Sequence, residues 1–182
     1  MVNEGHTATS YTKPAAGSSS HVVMSPSPVK VMISYRKDDC ADQPRGDGSA
    51  NRWKAALEKQ GWEVFLDQIE IEAGDFWEEN IIHAVESCHV LVALISTHYA
   101  DSPWCKGELK LATDKGKLII PVFHSGEYPP HDLVLRLGSV QSIPAGAPMR
   151  VADFDMVVDK VVTSIKRKLK VEGGEKAVQE LR

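Results

Sequence analysis

The hydrophobic pattern of this chain alternates between short apolar runs and segments whose apolar residues recur every three or four positions. The apolar runs predict five strands, at residues 29–35, 62–66, 89–96, 118–123 and, more weakly, 139–143. Helical spacing predicts the longer helices at residues 50–60, 77–87, 103–114 and 154–169. Strands that alternate with helices indicate a parallel sheet covered by helices on both faces. The sequence therefore predicts an α/β fold with a five-stranded parallel sheet, in which the wholly apolar third and fourth runs are central.

The two ends of the chain differ from this alternating region. Residues 1–27 are rich in Ser, Thr, Gly, Ala and Pro and have no apolar period, which predicts a disordered leader. Residues 28–170 hold every predicted strand and helix, and a chain of 182 residues with 42% apolar content suffices for one domain with a core. Residues 171–182 follow as a polar tail. We therefore expect one domain between two polar ends.

Composition and charge narrow the classes of function. The formal net charge of -4 gives no electrostatic basis for general nucleic-acid binding. No apolar stretch approaches the roughly 20 residues that a membrane-spanning helix needs. The three cysteines are odd in number and widely separated, and neither they nor the seven histidines have metal-ligand spacing. We therefore expect a cytoplasmic protein with no resident metal or cofactor.

The segment after the third predicted strand holds the strongest candidate for chemistry. Ser102 suits the cap of a helix and Pro103 its first position. Trp104 and Glu108 are four residues apart, so they share one face of that helix. Ligands of parallel sheets bind beyond the carboxyl ends of the strands, where this helix begins. A flat ring beside a carboxylate can hold a ligand ring and serve a cationic centre, although a core tryptophan with a solvated glutamate fits the same spacing.

Four motifs in order resemble those of Toll/interleukin receptor (TIR) domains. The motifs are the first strand ending at Tyr35, the second-strand segment 61–67, the loop 67–76 with Glu72-Ala73-Gly74, and the helix start Ser102-Pro103-Trp104-Cys105 with Glu108-Leu109. The loop is similar to the BB loop of that family. The resemblance covers residues 28–170 and implies the flavodoxin-like, three-layer TIR fold.

Among TIR domains, the sequence most resembles the NAD-cleaving class, as found in animal axon degeneration. On that resemblance, Glu108 is the catalytic glutamate and Trp104 stacks on a ring of the substrate, NAD. The residues that would border the substrate pocket are Tyr35, Arg36, Lys37, Glu72, Gly74 and Phe76. Lys37 and Glu70 depart from the class, which has an arginine and a lysine there, and this alters the charge pairing of the loop. The family also self-associates, so we expect TIR–TIR contacts that include the loop 67–76.

One carboxylate is chemically sufficient for this reaction. Glycosidases usually need two carboxyl groups, one of them to protonate the leaving oxygen. The nicotinamide of NAD is a pyridinium and leaves as a neutral molecule, so no general acid is required. A carboxylate beside the ribose orients the sugar and stabilises an oxocarbenium-like cation. The resemblance thus implies release of nicotinamide, with ADP-ribose or a cyclic ADP-ribose isomer, in immune or cell-death signalling.

Other interpretations of the sequence remain open. A non-catalytic TIR adaptor that acts only by TIR–TIR contacts is the main alternative, and it has no need of the Trp104 and Glu108 pair. Cys105 lies near a helix N-terminus, which can activate a thiol, but no histidine is obviously paired with it. Asp67 follows the second predicted strand, whereas a phospho-acceptor aspartate of this fold class would end the third.

Overall fold

The computed structural model describes residues 28–66 and 77–180, and helices cover both faces of a single sheet. The strands are β1 (Lys30–Tyr35), β2 (Glu63–Leu66), β3 (Val90–Ile95) and β4 (Leu118–Phe123). The helices are α1 (Lys37–Cys40), α2 (Ser49–Glu58), α3 (Trp77–Ser87), α4 (Pro103–Asp114), α5 (Val134–Leu137) and α6 (Phe154–Glu180). Short 3₁₀ turns lie at Tyr99–Asp101, His131–Leu133 and Val151–Asp153. The first four predicted strands and the four longer helices are therefore confirmed.

The four strands are parallel and lie in the order β2-β1-β3-β4. β1 and β3 are neighbours at the centre, with Ser34 opposite Ala93 and Tyr35 opposite Leu94. Every residue of β3 is buried, as expected for a parallel strand covered on both faces. The carboxyl ends of β1 and β3 therefore meet at one edge of the sheet, which is also where the chain leaves β3 towards α4.

Alternation of side chains along β1 divides the core into two layers. Ile33 and Tyr35 pack with α2 and α6, in what we call the α2–α6 layer. Met32 points to the other face and packs with α3 and α4, in the α3–α4 layer. Trp53 anchors the first layer, because it is fully buried and meets the Phe154 ring edge-on at a centroid distance of 5.3 Å. Each face of the sheet thus has its own apolar packing.

The fifth strand predicted at residues 139–143 is wrong, because in the described chain this segment makes only one bridge to β4, centred on Ile143. Ile143 N donates to Pro121 O at 2.9 Å, and Phe123 N donates to Ile143 O at 3.0 Å. The preceding rung of this ladder would need an N–H from Pro121, which proline lacks. The following rung is lost because Phe123 O accepts from Met149 N instead, at 2.8 Å. Over the residues that the structure describes, the sheet accordingly has four strands.

The last helix begins at Phe154, as the amphipathic pattern predicts, but its backbone stays helical through Glu180. The predicted end at residue 169 is therefore too early. Residues 175–180 read Glu-Lys-Ala-Val-Gln-Glu, mostly good helix formers, which favours continuation of the helix. Although α6 has 27 residues, neither it nor any other helix of the described chain is long and apolar enough to cross a membrane.

Two segments named in the sequence predictions lie outside the described residues. One is the leader, residues 1–27, and the other is the loop 67–76 with Glu72, Gly74 and Phe76. The proposed roles of these segments stay predictions.

Candidate active site

The helix that carries the candidate glutamate starts as the sequence predicts. Ser102 has extended backbone angles, and its hydroxyl accepts a hydrogen bond from Cys105 N at 3.3 Å. Pro103 occupies the first helical position, where an N–H would have no partner within the helix. This start sets the rotation of α4 so that Glu108 and Leu109 face the sheet and are buried.

Glu108 is only 7% exposed and is held from the end of β1. Ser34 Oγ donates to Glu108 Oε2 at 2.5 Å. The same Ser34 Oγ lies 2.6 Å from the Tyr99 hydroxyl oxygen. Because the single hydroxyl proton of Ser34 is used on Glu108, Tyr99 is the donor in that second contact. The carboxylate therefore stands at the end of a buried chain of two hydroxyl groups, and such chains strengthen each hydrogen bond in them.

The local sequence explains how these groups meet. Ser34 is a polar residue within the buried part of β1, on the face shared with Met32 and thus with α4. Tyr99 lies in the 3₁₀ turn between β3 and α4 and is fully buried in the α3–α4 layer. Sequence reasoning missed both residues. The one available signal was the hydroxyl of Ser34 inside a buried run, one residue before the predicted end of the strand.

Burial controls the protonation of the groups around Glu108. Burial raises the pKa of the Tyr99 hydroxyl well above its usual value, and the neighbouring Cys105 and Glu108 act in the same direction. Burial, reinforced by the charge of Glu108, also raises the pKa of the Cys105 thiol to about 12. At neutral pH Tyr99 therefore remains a hydrogen-bond donor, and Cys105 remains a thiol. This excludes Cys105 as an activated thiolate nucleophile.

Trp104 lies one helical turn before Glu108, and its side chain is 45% exposed. Its exposure rules out the alternative that this tryptophan is a core residue. Stacking of the Trp104 ring on a substrate ring stays a prediction.

The cationic residue after β1 is held by carboxylates. Arg36 Nη1 lies 3.0 Å from Asp39 Oδ1, and Arg36 Nη2 lies 3.2 Å from Asp38 Oδ2. Asp38 also pairs with Arg45 at 2.8 Å. The other oxygen of Asp39 accepts from Ser96 Oγ, at the end of β3, at 2.5 Å. Arg36 is thus fixed across the carboxyl ends of β1 and β3, and a bound phosphate would have to share it with these two carboxylates.

Two further predicted pocket residues lie elsewhere on this edge. Tyr35 is buried in the α2–α6 layer, on the opposite face of the sheet from Ser34 and Glu108. Tyr35 and Lys37 line a cavity of about 380 Å³ together with Arg45. The structure thus places Glu108, Trp104 and Arg36 near the carboxyl ends of β1 and β3, which we call the ligand edge of the sheet. The Tyr35 ring instead lies on the opposite face of the sheet.

A second polar cluster at this edge was not visible in the sequence. Cys40, Asp47 and His124 place possible metal-ligand atoms within 4.8 Å of one another. They come from α1, from the loop before α2 and from the residue after β4. Sequence spacing could not reveal a set of ligands that only the fold assembles.

Comparison of the sequence with known proteins finds a matching family and a plant relative. A family model described as the TIR domain matches residues 31–156. A protein from Brachypodium distachyon named probable 2' cyclic ADP-D-ribose synthase BdTIR is 39% identical over 79 residues. That match covers 43% of this chain and 34% of the plant protein, so the chain matches about a third of that relative's length.

Two solved structures with a similar fold are TIR domains. One structure contains the TIR domains of the activated Roq1 resistosome, which directly recognizes the pathogen effector XopQ. It aligns with a TM-score of 0.54 at 20% identity, and the alignment covers 74% of this chain and 98% of that chain. The TIR domain of the Toll-related receptor TRR-2 from Hydra magnipapillata aligns with a TM-score of 0.51 at 19% identity, over 76% of this chain and 98% of that chain. At such identities the likeness concerns the fold.

Proposed function

This chain belongs to the TIR domain family, and from that premise we propose that it is an NAD glycohydrolase or cyclase that acts in immune or cell-death signalling. It cleaves the nicotinamide–ribose bond and releases nicotinamide together with ADP-ribose or a cyclic ADP-ribose isomer. The observation that carries the proposal is the buried carboxylate of Glu108, oriented by Ser34 at the ligand edge of the sheet. The similarity to a plant protein named as a probable cyclic ADP-ribose synthase supports the reaction class.

Glu108 is the group proposed to stabilise the reacting centre. As nicotinamide departs, positive charge develops on the ribose, and a carboxylate already held in position needs no reorganisation to meet it. The Tyr99–Ser34 hydroxyl chain keeps one oxygen of the carboxylate occupied and therefore fixes the direction of the other. The neutral leaving group removes the need for a second carboxyl group as general acid.

Trp104 and Arg36 are proposed to bind the rest of the substrate. The exposed Trp104 ring offers a face on which an aromatic ring of NAD can stack. The Arg36 fork suits bidentate contact with a phosphate group, and its pairing with Asp38 and Asp39 holds it in place beforehand. NAD is thus the substrate, and the proposal includes no further cofactor.

The test is nicotinamide release from NAD by the purified chain, followed by chromatography of the products. Glu108→Gln keeps the shape of the side chain and an acceptor for Ser34 but removes the charge. The variant should lose on the order of 10²–10³ in rate. The matched control is Glu79→Gln, on the exposed face of α3, which should cleave NAD at the unaltered rate. Unaltered release by Glu108→Gln, with both variants folded by circular dichroism, would contradict the proposal.

Self-association is the second part of the proposal. The TIR–TIR contacts are assigned to a surface that includes the loop 67–76, whose Ile69, Ile71 and Phe76 are apolar. A neighbouring copy would close the open edge beside Glu108 and exclude water. Specific activity should therefore rise with protein concentration, and Gly74→Pro, which stiffens the loop, should lower it without unfolding the domain. Constant specific activity over a hundredfold dilution, in a protein that stays monomeric by light scattering, would show that one copy suffices.

A cytoplasmic location completes the proposal. Cys40, Cys88 and Cys105 are all buried free thiols, which suits a reducing compartment. On fractionation of cells that express the tagged chain, it should follow cytosolic markers. Recovery with secreted or membrane fractions would contradict this location.

A further inference from the structure

We propose that Cys40, Asp47 and His124 form a binding site for a thiophilic divalent cation, Zn²⁺ in particular, separate from the Glu108 site. A thiolate sulfur, an imidazole nitrogen and a carboxylate oxygen are the ligand types that Zn²⁺ takes in proteins. The three candidate atoms lie within 4.8 Å of one another, so small side-chain movements bring them to coordination distance. Three protein ligands leave a fourth tetrahedral position open.

The loop between α1 and α2 folds back on itself, so that Asp47 lies beside α1. Asp47 N donates to Asp39 O at 3.1 Å, and Gly48 N donates to Ala41 O at 2.8 Å. At Gly46, a Cβ atom would lie 2.5 Å from Ala41 N and O, so only glycine allows this approach. The backbone that carries Asp47 is therefore fixed by close packing and not left to the mobility of an open loop.

The other two ligands are equally well anchored. Cys40 is the last residue of α1 and is fully buried. His124 follows β4 directly, and its backbone N donates to Ile95 O at 2.9 Å. Its side chain is 12% exposed, and Nε2 lies 3.0 Å from Asp47 Oδ2. The second oxygen, Asp47 Oδ1, accepts from Ser49 N at 2.8 Å, which fixes the plane of the carboxylate.

A buried nitrogen at the cluster points to a missing partner. His124 Nδ1 is buried and makes no hydrogen bond of standard geometry to the residues that the structure describes. The buried hydroxyl of Ser49, in contrast, lies close to both the Cys40 thiol and the Asp47 carboxylate. Buried polar atoms of native proteins nearly always have a partner. A cation bound at Nδ1 of the imidazole would supply the partner that His124 lacks.

A cleft gives a cation access to the cluster. It has a volume of about 540 Å³ and is lined by Asp47 and His124 together with Asp38 and Asp39. On binding of the cation, the S–H bond of Cys40 breaks, the sulfur bonds to the cation and the proton leaves to solvent.

The first experiment measures binding of Zn²⁺ and of Co²⁺ to the full chain after removal of metal with a chelator. We expect one equivalent per chain by calorimetry and a rise in the melting temperature on addition of Zn²⁺. Co²⁺ should give the near-ultraviolet charge-transfer absorption of a thiolate ligand. Absence of stoichiometric binding of either ion, or Co²⁺ binding without the thiolate band, would overturn the proposal.

Variants then test which side chains hold the ion. Cys40→Ser and His124→Gln should each weaken Zn²⁺ binding by at least about tenfold. The matched controls are Cys88→Ser, a buried thiol of the other layer, and His131→Gln, an exposed imidazole, and both should bind as the parent does. Asp47→Asn keeps the acceptor for Ser49 N and lies at a half-exposed position, so we expect it to fold. It therefore tests the proposed set of ligands even if Cys40→Ser does not fold. If Asp47→Asn and His124→Gln bind Zn²⁺ with the affinity of the parent, the ion binds elsewhere and the proposal is wrong. The same conclusion follows if the control variants weaken Zn²⁺ binding equally.

Discussion

The α2–α6 layer and the α3–α4 layer lie on opposite faces of the same sheet, and both exclude solvent from the strands between them. The α2–α6 layer meets β1 through apolar side chains such as Ile33, backed by the aromatic pair of Trp53 and Phe154. The α3–α4 layer instead receives Ser34 from the same strand and holds the buried carboxylate of Glu108.

This difference shows that the alternation of side chains along a strand determines which face of the sheet can hold a polar site. A shift of one residue along β1 would turn Ser34 into the α2–α6 layer and an apolar side chain towards Glu108. Burial of a carboxylate without a hydrogen bond is expensive, so the Ser34 hydroxyl that donates to Glu108 lowers the cost of its burial. Where they meet β1, the α2–α6 layer therefore stabilises the fold by apolar burial, while the α3–α4 layer also maintains a polar site.

Matched truncations in the two layers should have the largest effects. Leu109→Ala and Ile165→Ala remove similar volumes from fully buried positions, one in each layer. Each should lower the free energy of unfolding by about 2–5 kcal/mol, measured by denaturant titration. Leu109→Ala should also slow NAD cleavage per folded molecule, because the cavity forms beside Glu108, whereas Ile165→Ala should not. Equal losses of activity in both variants would mean that packing in the α3–α4 layer supports NAD cleavage no more than packing in the α2–α6 layer does.

Ser34→Ala should have the next largest effect. It removes the donor to Glu108, and a hydrogen bond to a charged group is worth about 1.5–3 kcal/mol, so we expect roughly a 10- to 100-fold loss of kcat. Ser34→Thr, which restores the hydroxyl, should recover most of the rate. The control is Ser142→Ala, another buried serine, which donates to Pro144 O at 2.9 Å away from the site. A loss of rate shared by Ser142→Ala would point to general destabilisation.

Trp104→Ala should weaken substrate use without weakening the fold. Loss of stacking costs about 1–3 kcal/mol and should appear as a raised KM for NAD. With 45% of the side chain exposed, the melting temperature should change little. Trp104→Phe keeps an aromatic face and should be intermediate. A destabilised Trp104→Ala with unaltered kinetics would reject the stacking role.

Alkaline pH should give the smallest effect, and the Cys105 thiol of the α3–α4 layer contributes one part of it. The folded pKa of Cys105 is about 12 and its ordinary value is 9.0, so the native state holds this proton more tightly than the unfolded state. The resulting stabilisation is complete below pH 9 and is lost between pH 9 and 12. At pH 10 the loss from this thiol should be about 1 kcal/mol. Cys105→Ala should lose correspondingly less stability between pH 7 and pH 10, and an identical slope in both proteins would contradict the assignment.

Features that depend on local sequence were predicted correctly. The wholly apolar run of β3 and the Ser102 cap of α4 depend on neighbouring residues, so they could be identified from the chain alone. The position of Glu108 needed only helical spacing and the rule that parallel sheets bind ligands at their carboxyl ends.

Features that depend on tertiary partners could not be predicted. Ser34 is separated by 74 residues from Glu108 and by 65 from Tyr99, so no local pattern links them. The fifth strand failed for a related reason. Its apolar pattern is adequate, but the missing N–H of Pro121 matters only once the register against Ile143 is known. The exposure of Trp104 likewise depends on where α4 lies against the sheet.

Pro121 has a consequence for how copies of this domain can meet. A sheet edge with free N–H and C=O groups can recruit a strand from another molecule and grow without limit. At the outer edge of β4, Pro121 offers no donor, and Ile143 and Met149 already occupy the adjacent backbone groups. Between Pro121 and Phe123, a second copy therefore finds few free backbone groups on which to add a strand. Copies that meet at this part of the edge do so through their side chains, and an assembly of that kind can dissociate again without having merged its sheets into an aggregate.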